Sequence, residues 1–369
     1  MSDVSVPSTN GVLLIAASLG GGGAERQLVQ MANHWAKRGI PVTLATVSAI
    51  DIPDFFPVHE AVHRVRVGMD LATRGRAWRL VGRLRALVKA SRPRAIVSFI
   101  TENNVLSLLA TIGLRVRVIV SERAHPRHDA SVSRSWRALR WLLYRRAEVA
   151  VAQTGEIAAW IEQHCHARCA VIPNGLRDLP QPTEPRQQLV LGVGRLTRQK
   201  GFDLLLRAFA RVRAGHPDWT VTIFGVGPER ESLGTLADSL GIAASVKFAG
   251  TDPLIESWMA RAGLVVQPSR FEGFPNAVLE AMGLGAPVIS ADCPSGPRDL
   301  ITDGVDGRLV PVDDVDALAA TMDSLMADAS LRERLGREAC RVRERFSQNR
   351  VMSLWDAIVL GDTVPGAPA

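Results

Sequence analysis

Four cysteines in 369 residues, Cys165, Cys169, Cys293 and Cys340, are too few and too scattered for a disulfide framework. The chain must therefore hold itself together by packing, and a reducing compartment is expected. Two of the cysteines fall in EQHCHARC (162–169) beside His164 and His166, but zinc sites of this kind usually pair two such knuckles and there is no second one, so no metal is expected. Long apolar runs are missing too. The N-terminus offers only GVLLIAA, seven residues running into glycines with no cationic flank and no cleavage pattern, so no secretion signal is expected. No stretch reaches the roughly 18 apolar residues of a membrane span. Short repeats and low-complexity tracts are also lacking. What remains is a soluble, cytoplasmic globular protein with length for two domains or somewhat more. Its 44 Lys and Arg against 37 Asp and Glu, net +7, suit an anionic partner without choosing among nucleotide, nucleic acid and lipid headgroup.

Short β-branched runs alternate with amphipathic stretches: VLLIAA, a helix from about Glu25, VTLATV, a basic helix, AIVSFI, another helix, VRVIVS, AEVAVAQ and a helix near Thr154. This is the pattern of a parallel sheet wrapped by helices. LRDLPQPTEPRQQ (176–188) interrupts it with three prolines and reads as a linker. The alternation then restarts with LVLGVG, a helix from Gly201, TVTIFG, a helix from Pro228, VKFAG, LVVQPS, the Glu280 helix, PVISA and GRLVP. Two doubly wound halves are expected, with a ligand beyond the carboxyl ends of the strands in a cleft between them. Helical segments from about Asp313 to Leu360 follow, and GDTVPGAPA is expected to be disordered.

The chemistry gathers in SRFEGFPNAVLEAMGLGAPVIS (269–290). Glu272 stands in a Gly- and Pro-flanked turn, and Glu280 lies eight residues on in a helical run. Phe274-Pro275-Asn276 precedes that helix; proline suits a first turn, whose free amides form an anion site. Glu272 could accept hydrogen bonds from hydroxyls and Glu280 could take a diol. A ligand with phosphates in the middle and hydroxyls at both ends satisfies all of this, as a nucleotide sugar does. Taken alone, the stretch reads more readily as a solvated loop acid and a helix-surface charge. GVGRLTRQKGFDLLLRAF (192–209) adds Arg195 and Lys200 before a helix opened by Gly201, which is a diphosphate site in charge and geometry, with a solvated basic loop as the alternative.

Over nearly its whole length the chain resembles the retaining nucleotide-sugar glycosyltransferases of family four. Glu272 and Glu280 match that family's E-x7-E signature, Arg195 and Lys200 its basic pair, and FGVGPE (Gly225, Gly227, Glu229) its next turn. The resemblance implies the GT-B fold, two Rossmann-like α/β domains facing an interdomain cleft. An N-terminal acceptor domain would span 1–177, a linker 178–187 and a nucleotide-sugar domain 188–345. A helix at 346–361 would return to the first domain, followed by a disordered tail at 362–369. It further implies that Arg195 and Lys200 hold the donor pyrophosphate, Glu280 the ribose and Glu272 the transferred sugar, with Gly194, Gly225, Pro275 and the amides of Gly273, Phe274 and Asn276 around the donor. Gly22 and Gly23, in SLGGGGAERQ, would border the reaction centre, and His125, in VSERAHPRHD, would stand near the transferred sugar. Cations and helix amides would stabilise the departing diphosphate, so no metal or other cofactor is implied. Asp314-Val315-Asp316, the one candidate for an Asp-x-Asp metal motif, is better explained as a helix cap.

From Arg64 to Arg94 the chain carries ten cations and one acid, and the stretch from Arg134 to Arg146 is similar. At helical spacing Leu80, Leu84, Leu87 and Val88 share an inner face, as do Trp136, Leu139 and Leu143. Trp78 falls near Arg85 and Lys89, and Trp141 among Arg134, Arg137 and Arg145. Tryptophan within a cationic face suits a helix resting on an anionic membrane surface; a solvated arginine face is the alternative. The sequence thus points to a metal-independent retaining hexosyltransferase. It would move a hexose or N-acetylhexosamine from a UDP-sugar to a glycan or lipid-linked saccharide acceptor in bacterial surface glycan assembly, with no nucleic-acid partner. The alternatives are a sugar-nucleotide 2-epimerase of the same fold and a non-catalytic nucleotide-sugar-binding subunit at the membrane.

Overall fold

The computed structural model describes residues 10–20, 22–48, 53–68, 75–127, 132–180 and 185–361. The chain divides into two compact units, Met1–Gly175 with Asn349–Ala369, and Leu176–Gln348.

The first unit holds strands β1 Val12–Ala16, β2 Val42–Thr46, β3 Val62–Arg66, β4 Ala95–Phe99, β5 Arg117–Ser121, β6 Val149–Ala152 and β7 Cys169–Val171. They form one parallel sheet in the order β3-β2-β1-β4-β5-β6-β7, so the winding reverses between β1 and β4. Each central strand is covered on both sides. Leu13 and Ile15 pack with Leu80, Leu84 and Leu106, while Val12, Leu14 and Ala16 pack with Leu28, Trp35 and Trp355. Two-sided burial is why such strands read as unbroken apolar runs.

Two edge strands fall outside the expected pattern. β3, VHRVR, lies at the head of the basic stretch and is half-exposed. β7 starts at Cys169, whereas Cys165 ends the Gly155–Cys165 helix, which His166 terminates with φ 51°. Burial pushes the thiols of Cys165 and Cys169 up to about 11 and about 12, so both stay protonated at neutral pH.

The second unit holds β8 Gln187–Val193, β9 Thr220–Phe224, β10 Val246–Gly250, β11 Ala262–Gln267, β12 Val288–Ala291 and β13 Arg308–Val310. Their order is β10-β9-β8-β11-β12-β13, again all parallel, with the reversal between β8 and β11. Leu264 and Val266 face one core, Ala262 and Val265 the other. Leu176, where a linker was expected, already belongs to this unit: its amide donates to Phe346 O (2.7 Å), and Arg343 donates to Leu179 O and Pro180 O. Residues 181–184 of that expected linker, and the expected tail 362–369, lie outside the described residues.

The last helix, Gln348–Leu360, packs into the first unit through Val351, Met352, Trp355 and Val359, with Trp355 stacked on Phe99 at 5.8 Å. Asp356 fastens it: Oδ1 accepts from Trp35 Nε1 (2.7 Å), and Oδ2 accepts from Arg38 Nη1 (2.5 Å) and lies 3.2 Å from His34 Nε2. Asp356→Ala leaves the fully buried Trp35 N–H without its acceptor and is expected to cost about 1–3 kcal/mol, read as a lower urea midpoint with the m-value unchanged.

Candidate active site

In the second unit the loops after β8 and β11 emerge side by side where the winding reverses. After β8 the chain runs through Gly194 and Arg195 to a single turn, Arg198–Lys200, and then the helix Phe202–Val212. Gly201 between them has φ +67°, and a Cβ there would lie 2.1 Å from Pro268 O, so only glycine allows the turn to approach the β11 loop. Gly225 is similarly constrained, with φ +145° and Gly194 O 1.8 Å from the position of a Cβ. The turn and the β11 loop are latched in both directions. Arg270 N donates to Gln199 O (2.8 Å), and Gln199 Nε2 donates to Phe271 O (2.9 Å).

This latch brings Lys200 Nζ to 2.7 Å from Glu272 Oε1. Glu272 is buried, and Ser269 Oγ (2.6 Å) and Gln267 Nε2 (3.4 Å) donate to the same oxygen. Every side-chain hydrogen bond of Glu272 among the described residues ends on Oε1, so Oε2 keeps its accepting capacity. Lys200 makes one of the three bonds its ammonium can donate. Arg195 is exposed, with no side-chain partner among the described residues. Ser295 Oγ, from the loop after β12, fixes the Glu272 backbone by donating to its carbonyl (2.6 Å). Nearby Cys293 is pushed up to about 12, chiefly by burial and then by the Glu272 charge.

Several expected donor contacts are otherwise engaged. Phe274 is core, packed edge-on against Phe346 at 6.0 Å. Pro275 caps the Asn276–Gly283 helix instead of opening it, and the Asn276 amide donates to Phe274 O (3.0 Å), so the cradle of amides from Gly273 to Asn276 is smaller than expected. Glu280 lies 3.6 Å from Arg177 Nε, and Arg177 also pairs with Glu256. Arg177 was not foreseen, because a hundred residues of chain separate it from its partner; its place in a proline-rich stretch gave no signal.

In the first unit Gly22 is the extended cap of the Gly23–Lys37 helix, and Glu25 folds back against it. Gly21 lies outside the described residues. After β5, Glu122 points into the fold. It accepts from Thr101 Oγ1 (3.0 and 3.1 Å) and from Tyr144 OH, and lies 3.9 Å from Arg140, itself buried. Burial and the Glu122 charge hold the Tyr144 phenol well above its usual range. Arg123 stacks over Phe99 at 4.6 Å and donates to Asn174. Desolvation pulls its guanidinium down to about 9, and its Nε and Nη1 find no hydrogen-bond acceptor. His125 is buried: Nδ1 accepts from Arg127 N (3.2 Å), which puts the proton of the neutral ring on Nε2, 3.6 Å from Glu156.

Trp78 and Trp141 are 73% and 60% exposed, and Lys89, Arg134, Arg137 and Arg145 are exposed with them. Arg85 departs from that group: its Nη1 donates to Ala110 O (2.9 Å) and Ile112 O (2.7 Å), closing the carboxyl end of the neighbouring helix. Among the described residues no helix is long and apolar enough to cross a membrane. Asp314 accepts from Ala317 N (2.8 Å) and caps the Val315–Ala327 helix.

Two family profiles match adjoining parts of the chain: Glycosyltransferase Family 4 over residues 21–178 and Glycosyl transferases group 1 over 178–342. The chain belongs to the GT-B glycosyltransferases. An exopolysaccharide phosphotransferase of Streptomyces coelicolor is 34% identical over 56% of this GT-B chain, which spans only 23% of that relative's length. A Campylobacter jejuni enzyme named as a GalNAc-alpha-(1->4)-GalNAc-alpha-(1->3)-diNAcBac-PP-undecaprenol alpha-1,4-N-acetyl-D-galactosaminyltransferase is 26% identical over 93% of this chain and 96% of its own. Among solved structures, Anabaena HepE in complex with UDP superposes with a TM-score of 0.79 over 95% of this chain and all of its own, at 20% identity.

The Glu122 network is saturated with internal bonds, which marks it as structural. Glu122→Ala should strand the buried Arg140 cation and cost about 3–5 kcal/mol, measured by urea unfolding of the full chain.

Proposed function

We propose that the protein is a metal-independent retaining glycosyltransferase of family four. In this reading it moves a hexose or N-acetylhexosamine from a UDP-sugar to a glycan acceptor, lipid-linked, in bacterial surface glycan assembly. The observation that carries this is the Lys200–Glu272 pair at the winding reversal of the second sheet, where a cation with spare donors touches a carboxylate with one oxygen free. Lys200 and the unpartnered Arg195 would meet the two phosphates, and Glu272 Oε2 would accept from a sugar hydroxyl. Glu280, shared with Arg177, would take the ribose.

In the reaction the bond from the sugar's anomeric carbon to the diphosphate breaks. The acceptor oxygen bonds that carbon on the same face, and the acceptor proton passes to the departing phosphate oxygen. Lys200 and Arg195 stabilise the charge that grows on the leaving group. His125, held with its proton on Nε2, would donate to a sugar hydroxyl. HepE, solved with UDP, supports the choice of base, and the polyprenyl-diphosphate acceptor in the Campylobacter enzyme's name supports a lipid-linked one. The exposed Trp78 and Trp141 among cations would rest on an anionic inner-membrane surface.

A panel of nucleotide sugars should include a UDP-sugar that raises the thermal midpoint, and Lys200→Ala should abolish the shift. Transfer should fall by roughly 10²–10³-fold in Lys200→Ala and in Glu272→Gln, the amide being chosen because alanine would leave Lys200 facing an emptied buried site. Wild-type-like rates in either variant would reject this placement of the donor. Flotation with anionic liposomes should weaken with salt and in Trp141→Ala; no flotation at low ionic strength would remove the membrane contact.

A further inference from the structure

The stretch from Leu176 to Pro180 lays an arginine beside the carboxylate of the Asn276–Gly283 helix. Leu176 and Leu179 are buried against that helix, and Gly283 makes the approach possible: a Cβ there would lie 2.7 Å from Leu176 Cδ2 and 3.0 Å from Leu179 Cδ1. Arg343 ties the two together, its Nε donating to Gly283 O (2.5 Å) and its Nη2 to Pro180 O (2.9 Å). Within this pinned stretch Arg177 meets two carboxylates. Its Nη1 pairs with Glu256, in the first turn of the Ile255–Arg261 helix, and its Nε lies 3.6 Å from Oε1 of Glu280. We propose that Arg177, fastened by Glu256, is a positioning residue that sets Glu280 to receive the ribose hydroxyls of a nucleotide, so that the site selects ribonucleotides over deoxyribonucleotides. This rests on the donor reading above, in which Glu280 takes the ribose.

The two ion pairs do different work. The Glu256 contact is the closer and fixes the guanidinium. A separation of 3.6 Å is too long for a hydrogen bond, and Arg177 Nε is buried with no hydrogen-bond partner among the described residues. The cation therefore draws the Glu280 carboxylate toward it without spending one of its lone pairs. A vicinal diol offers two O–H donors, which one carboxylate accepts together when it is turned toward both. A glutamate side chain is flexible, and ordering it as the ligand binds costs free energy. A cation already in place restricts it before the nucleotide arrives, which leaves the carboxylate preorganised. Without Arg177, Glu256 and Glu280 become neighbouring like charges with no cation between them, and repulsion turns Glu280 out of line.

A bridge that only tied the two helices together would, when cut, weaken every nucleotide alike. A positioning residue weakens the ribonucleotide and spares its deoxy counterpart, since only the first uses the hydroxyl that Glu280 receives.

Titration calorimetry of the full chain with UDP, dUDP, GDP and dGDP separates the two. At least one ribonucleotide should bind, about tenfold or more tighter than its 2′-deoxy counterpart, and Glu280→Gln should narrow that ratio to roughly two- or threefold. Arg177→Ala should narrow it similarly, by weakening the ribonucleotide while the deoxynucleotide stays within about twofold of wild type. Arg177→Lys, which keeps a positive charge without the planar fork, should fall between wild type and alanine, so that a misfolded alanine variant does not decide the matter. An unchanged ratio in both Arg177 variants, equal weakening of the two nucleotides, or a ribonucleotide that binds tighter once Arg177 is gone would each overturn the positioning role and leave the donor reading intact. A ratio indifferent to Glu280→Gln, or a wild-type chain that binds none of the four nucleotides, would sink the donor reading and this inference with it.

Discussion

A parallel strand can be reached only by crossing back over a face of the sheet, so every strand is followed by a loop at the same, carboxyl edge. Where the winding reverses, the loops of two neighbouring strands turn away to opposite faces and leave a crevice. This protein has that arrangement twice, between β1 and β4 and between β8 and β11. In the second sheet the crevice is drawn tight by Gly201 and Gly225, which let backbones touch, and by the reciprocal latch between Gln199 and the β11 loop. In the first it is left open as a hollow. The same winding rule thus yields a compact charged crevice in one unit and an open hollow in the other.

The buried charges separate by whether their bonds are used up. Glu122 accepts from two hydroxyls with a cation behind it, and its surroundings are closed. Glu272 crowds three donors onto one oxygen and keeps the other. A buried carboxylate is tolerated when its lone pairs are filled, and on Oε2 water or a ligand can fill them. Arg123 shows the converse in a cation, with two of its nitrogens unpaired and its basicity lowered by desolvation.

The two parallel sheets were legible because two-sided burial writes itself as apolar runs, and those runs fall between helices of the right length. β3 and β7 were not, since an edge strand need not be apolar and VHRVR alternates too weakly to stand out from a basic stretch. Glu272 and Lys200 could be named from spacing, but not the bond between them, which depends on a latch 72 residues long in sequence. Arg177 was missed for the same reason. A helical projection grouped Arg85 with the exposed cations, yet could not reveal that the carboxyl end of a neighbouring helix engages its guanidinium.

That last case bears on the net charge of +7. Many of the arginines are spent inside the fold on carbonyls that helix and strand ends leave open. Arg186 reaches Ala260 O, Ala262 O and Leu284 O; Arg343 reaches Gly283 O, Leu179 O and Pro180 O; Arg332 reaches Leu325 O and Met326 O. A planar fork of five donors suits such clustered acceptors, as a lysine would not. Counting cations therefore overstates the pull on an anionic partner, and the informative ones are those the fold leaves alone. Arg195 is one, beside the Lys200–Glu272 pair; Lys89, Arg134 and Arg145 are others, around two exposed tryptophans. The excess positive charge is a consequence of how this chain closes its helices, and its chemistry rests on the few cations left over.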